Sequence, residues 1–399
     1  MLNKYDVAIV GGGITGMVLA HTLARHDMRV IFVIDSTDLT LQQAQSEQEK
    51  QNDRAFALSH NTISFLLRCG LLDECDINEE KRIDDILVID ESGKELVSIS
   101  KADNANNSIG CMFSELKLRA TIANKLKTVL HNIELLFVTS IDELYVDEEI
   151  VFMSCVSNGQ KIEFKAKLLV AADGKDSFVR KHFNIPSYER SYEQVAMCFN
   201  IRHPYNIKNM AVEKFSTHST IALLPYNSPY ESSVVWILKN QNAEKLNAMS
   251  NDELEKILTL ELYDLCGSVE IISNIQSYKL VEKKIRKLYH TRTAFIGDAG
   301  HVIHPLVGLG LNLGLHDVIS LVQLILRYNT AQIDIGSMTL LEQYHCERRL
   351  QVNSVSFMTN AMHYMGVQSN SKFVRNMIKI GMNAFNYIDP LKRKIIQSI

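Results

Sequence analysis

Tyr5-Asp6-Val7-Ala8-Ile9-Val10-Gly11-Gly12-Gly13-Ile14-Thr15-Gly16 opens the chain with an apolar run that breaks into a glycine turn. The run is short and rich in β-branched residues, as expected of a strand buried on both faces of a parallel sheet. Gly11, Gly13 and Gly16 then stand at GxGxxG spacing. Residues 14–25 read as a helix, with Met17, Val18, Ala20, Leu23 and Ala24 available for packing. Each glycine answers a steric need: a tight turn at Gly11, close backbone approach to a pyrophosphate at Gly13, and close helix–strand packing at Gly16. The helix start, including Ile14 and Thr15, offers unpaired N–H groups and partial positive charge to phosphates. Such a motif is weak when it stands alone. Here a second apolar run, 30–34, ends in Asp35 about 20 residues beyond the last glycine, where a carboxylate can accept hydrogen bonds from an adenosine ribose.

A second glycine-rich stretch stands far along the chain: Gly297-Asp298-Ala299-Gly300-His301-Val302-Ile303-His304-Pro305-Leu306-Val307-Gly308-Leu309-Gly310-Leu311-Asn312-Leu313-Gly314. A strand-like run, 293–296, feeds it, and it leads into a helix beginning near Gly310. Glycine turns at both ends of the sequence point to one large cofactor held at both of its ends. That arrangement suits FAD better than NAD.

Length and composition set the bounds. At 399 residues the chain can form two domains, or one large domain with an insertion. A net charge of −4 gives no electrostatic reason to expect nucleic acid. The seven cysteines are scattered without a CxxC, so reduced thiols are expected rather than a disulfide framework or a zinc site. Asp298, His301 and His304 lack a further ligand set, and no metal is expected. The chain enters its first strand at once, leaving no room for a signal peptide, and a cytoplasmic protein is the expectation. The apolar stretch 301–326 carries Pro305, three glycines, Asn312, His316 and Asp317, too polar for a bilayer span.

Between the motifs, residues 54–69 read as a helix with Ile63, Phe65 and Leu66 facing the core. Strands are expected at 85–89, 95–99, 134–138, 150–155, 162–165 and 167–172, and a helix at 114–129 with Leu116, Leu118, Ile122 and Leu126 as its apolar positions. The strand 167–172 ends at Asp173-Gly174. Strand-like runs at 195–201, 221–224 and 233–238 suggest an antiparallel sheet inserted over 194–277, and the pattern is helical from about 340. The expected fold class is α/β: a Rossmann-like FAD-binding domain on a parallel sheet, split by an inserted antiparallel-sheet substrate domain, with a helical C-terminal region. The FAD-binding domain is expected at 1–80, 105–185 and 280–335. The substrate domain is expected at 81–104 and 186–279, and the helical region at 336–399.

Three motifs thus stand in order: GxGxxG at 11–16, Asp-Gly with Ser177 and Arg180 at 173–180, and Gly-Asp with His-Pro and glycines at 297–314. Over essentially its whole length the chain resembles the single-component FAD-dependent aromatic hydroxylases of the para-hydroxybenzoate hydroxylase type. More closely, it resembles the ubiquinone-biosynthesis hydroxylase family. The narrower match is carried by Met210-Ala211-Val212-Glu213-Lys214-Phe215, Ile221-Ala222-Leu223-Leu224-Pro225, Ser233-Val234-Val235-Trp236 and Asp389-Pro390-Leu391-Lys392-Arg393-Lys394.

The resemblance implies a monooxygenase that hydroxylates the ring of a polyprenylated phenol with O2, through a flavin C4a-hydroperoxide. It implies Asp298 at the ribityl or pyrophosphate portion of FAD, and the backbone of Gly308, Leu309, Gly310, Leu311 and Asn312 beside the isoalloxazine. Arg54 matches an arginine near the phosphates, and Asp173-Gly174 a motif serving FAD and a transient nicotinamide donor. Two positions depart from the family pattern, Leu309 and Arg119, each where relatives place Gln. Pro305 and His304 are implied near the reacting face, His304 as a group that could polarise the phenol; a histidine hydrogen-bonded to backbone is the other reading. The electron donor, NAD(P)H or a ferredoxin-type reductant, stays open.

A polyprenyl substrate implies contact with a membrane or a lipid carrier. Phe373, Met377 and Ile380 share one helical face and Lys372, Arg375 and Lys379 a neighbouring one. That pattern fits a basic amphipathic helix at the inner face of a membrane, or an ordinary helix packed on the core. Met358, Met362 and Met365 read as core packing or a flexible lipid channel. Other ubiquinone-biosynthesis proteins are candidate partners. The competing functions are a prenyl reductase or small-aromatic hydroxylase of the same fold, and a flavin-poor scaffold in a lipid-biosynthetic complex. A flavin halogenase is disfavoured, because one tryptophan cannot supply its WxWxIP signature.

Overall fold

The computed structural model describes residues 2–38, 53–77, 81–101, 108–304, 308 and 310–363. Its first sheet has eight strands. The path runs Tyr289–His290, Thr293–Phe295, Gln160–Ala171, Asn3–Val10, Val30–Asp35 and Ile133–Val138, with Val151–Ser157 and Ser140–Val146 continuing antiparallel from Gln160–Ala171. From Thr293–Phe295 to Ile133–Val138 the pairing is parallel. Val10 is in register with Ala171 and Val33, and Ala171 with Phe295. Three strands therefore end together, and the turns after Val10, Ala171 and Phe295 leave the sheet at one edge. Ligands of open α/β sheets bind at such carboxyl ends. The helices Ile14–Ala24 and Gly310–Thr330 pack against each other beside this sheet, in a core of Ile9, Met17, Phe32, Val170, Phe295 and Leu315.

The second sheet has nine strands, in the path His301–Val302, Gln276–Ile285, Ser187–Arg202, Glu231–Lys239, Ser219–Pro225, Met210–Phe215, Asp85–Asp90 and Glu95–Ser100, with Glu270–Ile271 beside Ser187–Arg202. One face buries Met197, Val212, Leu223 and Trp236 against the helices Asn240–Asn247 and Asn251–Cys266. The other buries Val88, Ala196, Ala211 and Phe215 against Ile109 and against Ile83 and Met112 of the three-stranded sheet formed by Ala55–Ser59, Gly110–Ser114 and Arg82–Ile83.

Several expectations need correction. The segment read as a helix from residue 54 is a strand, Ala55–Ser59, followed by a helix, His60–Arg68. Pairing with Gly110–Ser114 holds the first half extended, and Ser59 caps the helix by accepting from Thr62 N. The strands expected at 162–165 and 167–172 are one strand, Gln160–Ala171, whose early half pairs antiparallel and whose later half pairs parallel with two neighbours. The strand Ser140–Val146 leaves little mark in the sequence, because most of its residues are exposed. The second sheet is not wholly antiparallel: Met210–Phe215 runs parallel to Asp85–Asp90. The boundary expected between 279 and 280 falls inside the strand Gln276–Ile285, and His301–Val302 returns to the same sheet. Two helices, Asn240–Asn247 and Asn251–Cys266, interrupt the expected sheet, the second opened by a capping box of Ser250 and Glu253.

Among the described residues no helix is long and apolar enough to cross a membrane. Met358 is partly buried against the core. Met365, the basic amphipathic stretch 372–380 and the Asp389-Pro390 segment lie outside the described residues, as do Pro305 and Leu309.

Candidate functional site

The site is built where the parallel strands end. Gly11 has φ +116°, and a Cβ there would stand 2.3 Å from Ala172 O and 2.6 Å from Asp173 N. A Cβ on Gly16 would stand 2.2 Å from Gly11 O. Both positions demand glycine for the fold itself. Gly13 differs: a Cβ there would meet nothing within 4 Å, and no side chain caps the helix it precedes. The uncapped N–H groups of the first turn thus face open space, the environment that suits a phosphate. Asp35 ends its strand exposed, accepting from Thr37 N at 2.8 Å and Thr37 Oγ1 at 2.6 Å, both at Oδ1. These bonds hold its carboxyl below the ordinary value, so it is an anion able to accept further donors.

The second glycine motif meets the first through Thr15. A Cβ on Gly297 would lie 3.4 Å from Thr15 Oγ1, and one on Gly314 3.0 Å from Thr15 Cγ2 and 3.1 Å from Gly297 Cα. Gly297 N donates to Asp317 Oδ2 at 2.9 Å, and His301 Nε2 meets the same oxygen at 2.6 Å. Arg348 Nε donates to Asp317 Oδ1 at 2.7 Å, and its Nη2 to Leu313 O at 3.1 Å. Asp317 is wholly buried; burial pushes its carboxyl up, but His301 and Arg348 outweigh it and hold the group below its ordinary value. This buried network sets the turn that presents Asp298.

Asp298 is open to solvent within a concave surround of protein. The surround pushes its carboxyl up, against the pull of His301, Arg54 and Lys175. The Asp-Gly motif lies beside the same turn. Asp173 Oδ2 accepts from Val179 N at 3.0 Å, while Oδ1 is buried with no partner among the described residues. Burial raises this carboxyl too, against the hydrogen bonds from Ser177 and Val179. Arg180 Nη1 donates to Ala299 O at 2.9 Å and ties the two motifs together. An orphaned buried oxygen at Asp173, an open Gly13 and an uncapped helix start fit a group rich in phosphate and hydroxyl donors and acceptors, as FAD is.

The helix Gly310–Thr330 follows the second glycine motif. Asn312, expected as a flavin contact, spends its side chain on the fold: Oδ1 accepts from Ser59 N at 2.9 Å and Nδ2 donates to Ala57 O at 2.7 Å. What the turn leaves for a ligand is backbone at Gly310 and Leu311, where a Cβ on Gly310 would meet nothing within 4 Å. Gly308 has φ +64° and faces Ala57. Beside it lies an apolar pocket lined by Ala57, Ile86, Ala211, Ala222, Leu224 and Glu213, with Asn312 at its edge.

The arginines are engaged by protein. Arg54 pairs with Glu115 and lies over the rings of Phe56 and Tyr278, at 4.9 and 5.2 Å. Arg119 pairs with Asp38 at 3.3 Å and reaches Glu115 at 4.0 Å. Asp38 Oδ2 would lie 2.8 Å from a Cβ on Gly12, so this pair borders the glycine turn. The sequence alone does not mark Asp38, Asp317, Arg348 or Glu213: the first three stand out by partners acquired in the fold, and Glu213 by its burial.

His304 does not face an open cleft. It is 1% exposed, lies 3.3 Å from Gln194 Oε1 through Nε2, and packs edge-on against Tyr192 at 4.6 Å and near His363 at 5.2 Å. Burial, then His363 and Arg190, push its pKa down to about 3, so it is neutral. Its partner is a side-chain amide rather than the phenol-facing or backbone role expected.

Known proteins resemble this chain over most of its length. A family model described as FAD binding domain matches residues 4–357. Ubiquinone hydroxylase UbiM of Neisseria meningitidis is 27% identical over 99% of this chain and 84% of its own length. Ubiquinone hydroxylase UbiL of Rhodospirillum rubrum is 29% identical over 97% and 87%. Among solved structures, p-nitrophenol 4-monooxygenase PnpA from Pseudomonas putida superposes with a TM-score of 0.76 at 18% identity, over 99% of this chain and 98% of that one. Pseudomonas aeruginosa PqsL, in complex with 2-aminobenzoylacetate, gives 0.75 at 18%, over 96% and 100%. At these identities the structural likeness concerns the fold.

Proposed function

The chain belongs to the FAD binding domain family, and on that premise we propose that it is an FAD-dependent monooxygenase hydroxylating the ring of a polyprenylated phenol in ubiquinone biosynthesis. The observation that carries the reading is the convergence of the two glycine motifs on Thr15 beside an apolar pocket. The names of the similar hydroxylases support the substrate class.

On this reading the helix start after Gly13 holds the pyrophosphate, Asp35 accepts from the adenosine ribose, and Asp298 with Asp173 meets the polyol and phosphate portion. Backbone N–H groups at Gly310 and Leu311 face the flavin's carbonyl edge, where a helix dipole favours negative charge. When bound, the flavin supplies electron transfer and activation of O2. The chain's own part is to bind, orient the ring and exclude water. The apolar lining does the last: Ile86, Ala222 and Leu224 offer a ring no competing hydrogen bonds.

We assign reduction of the flavin to NAD(P)H or a ferredoxin-type donor. Substrate delivery is from a membrane surface, with Lys372, Arg375, Lys379, Lys392, Arg393 and Lys394 as the peripheral contact; flotation with anionic liposomes tests that contact. Quinone profiling by mass spectrometry tests the function, with the chain expressed in bacterial strains each lacking one ring-hydroxylation step. Restoration in one strain identifies the carbon. A soluble, FAD-loaded protein that restores none overturns the substrate class.

A further inference from the structure

Glu213 lies on the strand Met210–Phe215, opposite Ala222 on one side and Val88 on the other. It alternates with Val212, whose side chain joins the core on the helix-covered face, so it shares the opposite face with Ala211 and Phe215. That face packs against Ala55 and Ala57 of the strand Ala55–Ser59. Glu213 is 5% exposed, its Oε1 is buried without a hydrogen-bond partner, and it forms no ion pair among the described residues.

The other polar groups of this lining are committed. Asn312 is tied to Ala57 and Ser59 through both ends of its amide, and Ser59 Oγ bonds Thr62. Glu213 is therefore the lining side chain with hydrogen-bonding capacity to spare. Burial alone, with no charged group contributing, pushes its pKa up to about 8, so at neutral pH it is mainly an uncharged acid. A buried polar group without a partner destabilises a fold, and such groups cluster where a ligand completes them.

We propose that Glu213 recognises the ring hydroxyl of the substrate, its carboxyl accepting a hydrogen bond from the phenol O–H inside this pocket. The assignment rests on the reading of the protein as a phenol hydroxylase and adds to it the residue that orients the ring. Glu213 lies on the sheet side of the pocket and Asn312, its amide spent on Ala57 and Ser59, at its edge, so the hydroxyl end of the ring is drawn to the sheet. The free volume of the pocket is about 50 Å³, enough for water-sized groups and too small for a ring. A ring therefore enters by displacing side chains of the lining, and the hydroxyl contact is made as the pocket opens.

The test is equilibrium binding of a short-chain prenylphenol and its methyl ether to the full-length, FAD-loaded protein, read from the flavin absorbance spectrum. The ether keeps the shape and lacks the O–H. Wild type is expected to prefer the phenol by about tenfold, the equivalent of one hydrogen bond. Glu213→Leu is expected to bring the two ligands within about twofold, while Glu213→Gln, whose amide carbonyl still accepts, retains most of the preference. A purely structural Glu213 would leave the preference unmoved in Glu213→Leu, and that result overturns the proposal while the hydroxylase reading stands. Equal binding of both ligands by wild type also overturns it. Binding of neither ligand by wild type removes the hydroxylase reading and this proposal together.

Discussion

Asp317 Oδ2 lies 2.6 Å from His301 Nε2 with both side chains buried, so a carboxylate in the helix Gly310–Thr330 holds the far end of the Gly297–His301 turn. The same carboxylate receives Gly297 N and Arg348. Asp317→Ala leaves the Arg348 guanidinium buried without its counterion. Breaking a buried ion pair from one side costs about 3–5 kcal/mol, and urea unfolding of the variant is expected to show a loss of that order. The wild-type contribution is present above the ordinary carboxylate range and is lost as pH falls through the depressed native value. The variant is therefore expected to show a weaker stability loss on acidification than wild type.

Gly13 and Gly16 separate fold from cofactor. Gly16→Ala drives a methyl group into Gly11 O and is expected to lower stability in the presence and absence of FAD. Gly13→Ala meets nothing within 4 Å and has an ordinary φ of −69°, so its unfolding free energy without FAD is expected to stay within about 0.5 kcal/mol of wild type. Its FAD affinity, followed by flavin fluorescence, is expected to fall. Unchanged affinity in Gly13→Ala would remove that glycine from the phosphate site.

Asn312→Ala removes both hydrogen bonds that clamp the helix start to the strand Ala55–Ser59. Leaving two partly buried backbone groups unpaired costs about 1–3 kcal/mol each. A destabilisation of at least about 2 kcal/mol in urea is the expected result.

Glu213 gives stability a negative slope with pH. Its proton is held in the folded state up to about pH 8 but is released by the unfolded chain near the ordinary value of 4.5. The contribution is full below the unfolded value and is lost as pH rises toward 8, at about 1.4 kcal/mol per unit. Glu213→Gln has no proton to lose. Its stability advantage over wild type is expected to grow between pH 5 and 8 in paired urea titrations, and a constant difference would mean that Glu213 titrates normally.

His304 acts with the opposite sign. Folded, it stays neutral down to about pH 3, whereas the unfolded imidazole takes a proton near 6.5. Stability from this group is therefore lost as pH falls below 6.5. His304→Gln is expected to flatten the wild-type decline between pH 6.5 and 4. Its retention of hydroxylation would agree with the burial of His304 in the Tyr192 cluster.

The parallel core and both glycine turns could be read from the chain because their determinants are local. The apolar run to Val10, the steric demands at Gly11 and Gly16, and Asp35 at the next strand end all follow from short-range pattern. Residues 54–59 could not be read that way. Their apolar content suits a helix as well as a strand, and only the pairing with Gly110–Ser114 decides between them. The same holds at the site. Asn312 and His304 belong to residue types that often serve ligands, yet one clamps a strand and the other packs among aromatic rings. Glu213 appears in the sequence as one charged residue in an alternating strand, and its neutral, uncommitted carboxyl exists only because distant segments close over it. Backbone geometry and periodicity are properties of neighbours in the chain; protonation, hydrogen-bond commitment and access are set by neighbours in space, which no local pattern records.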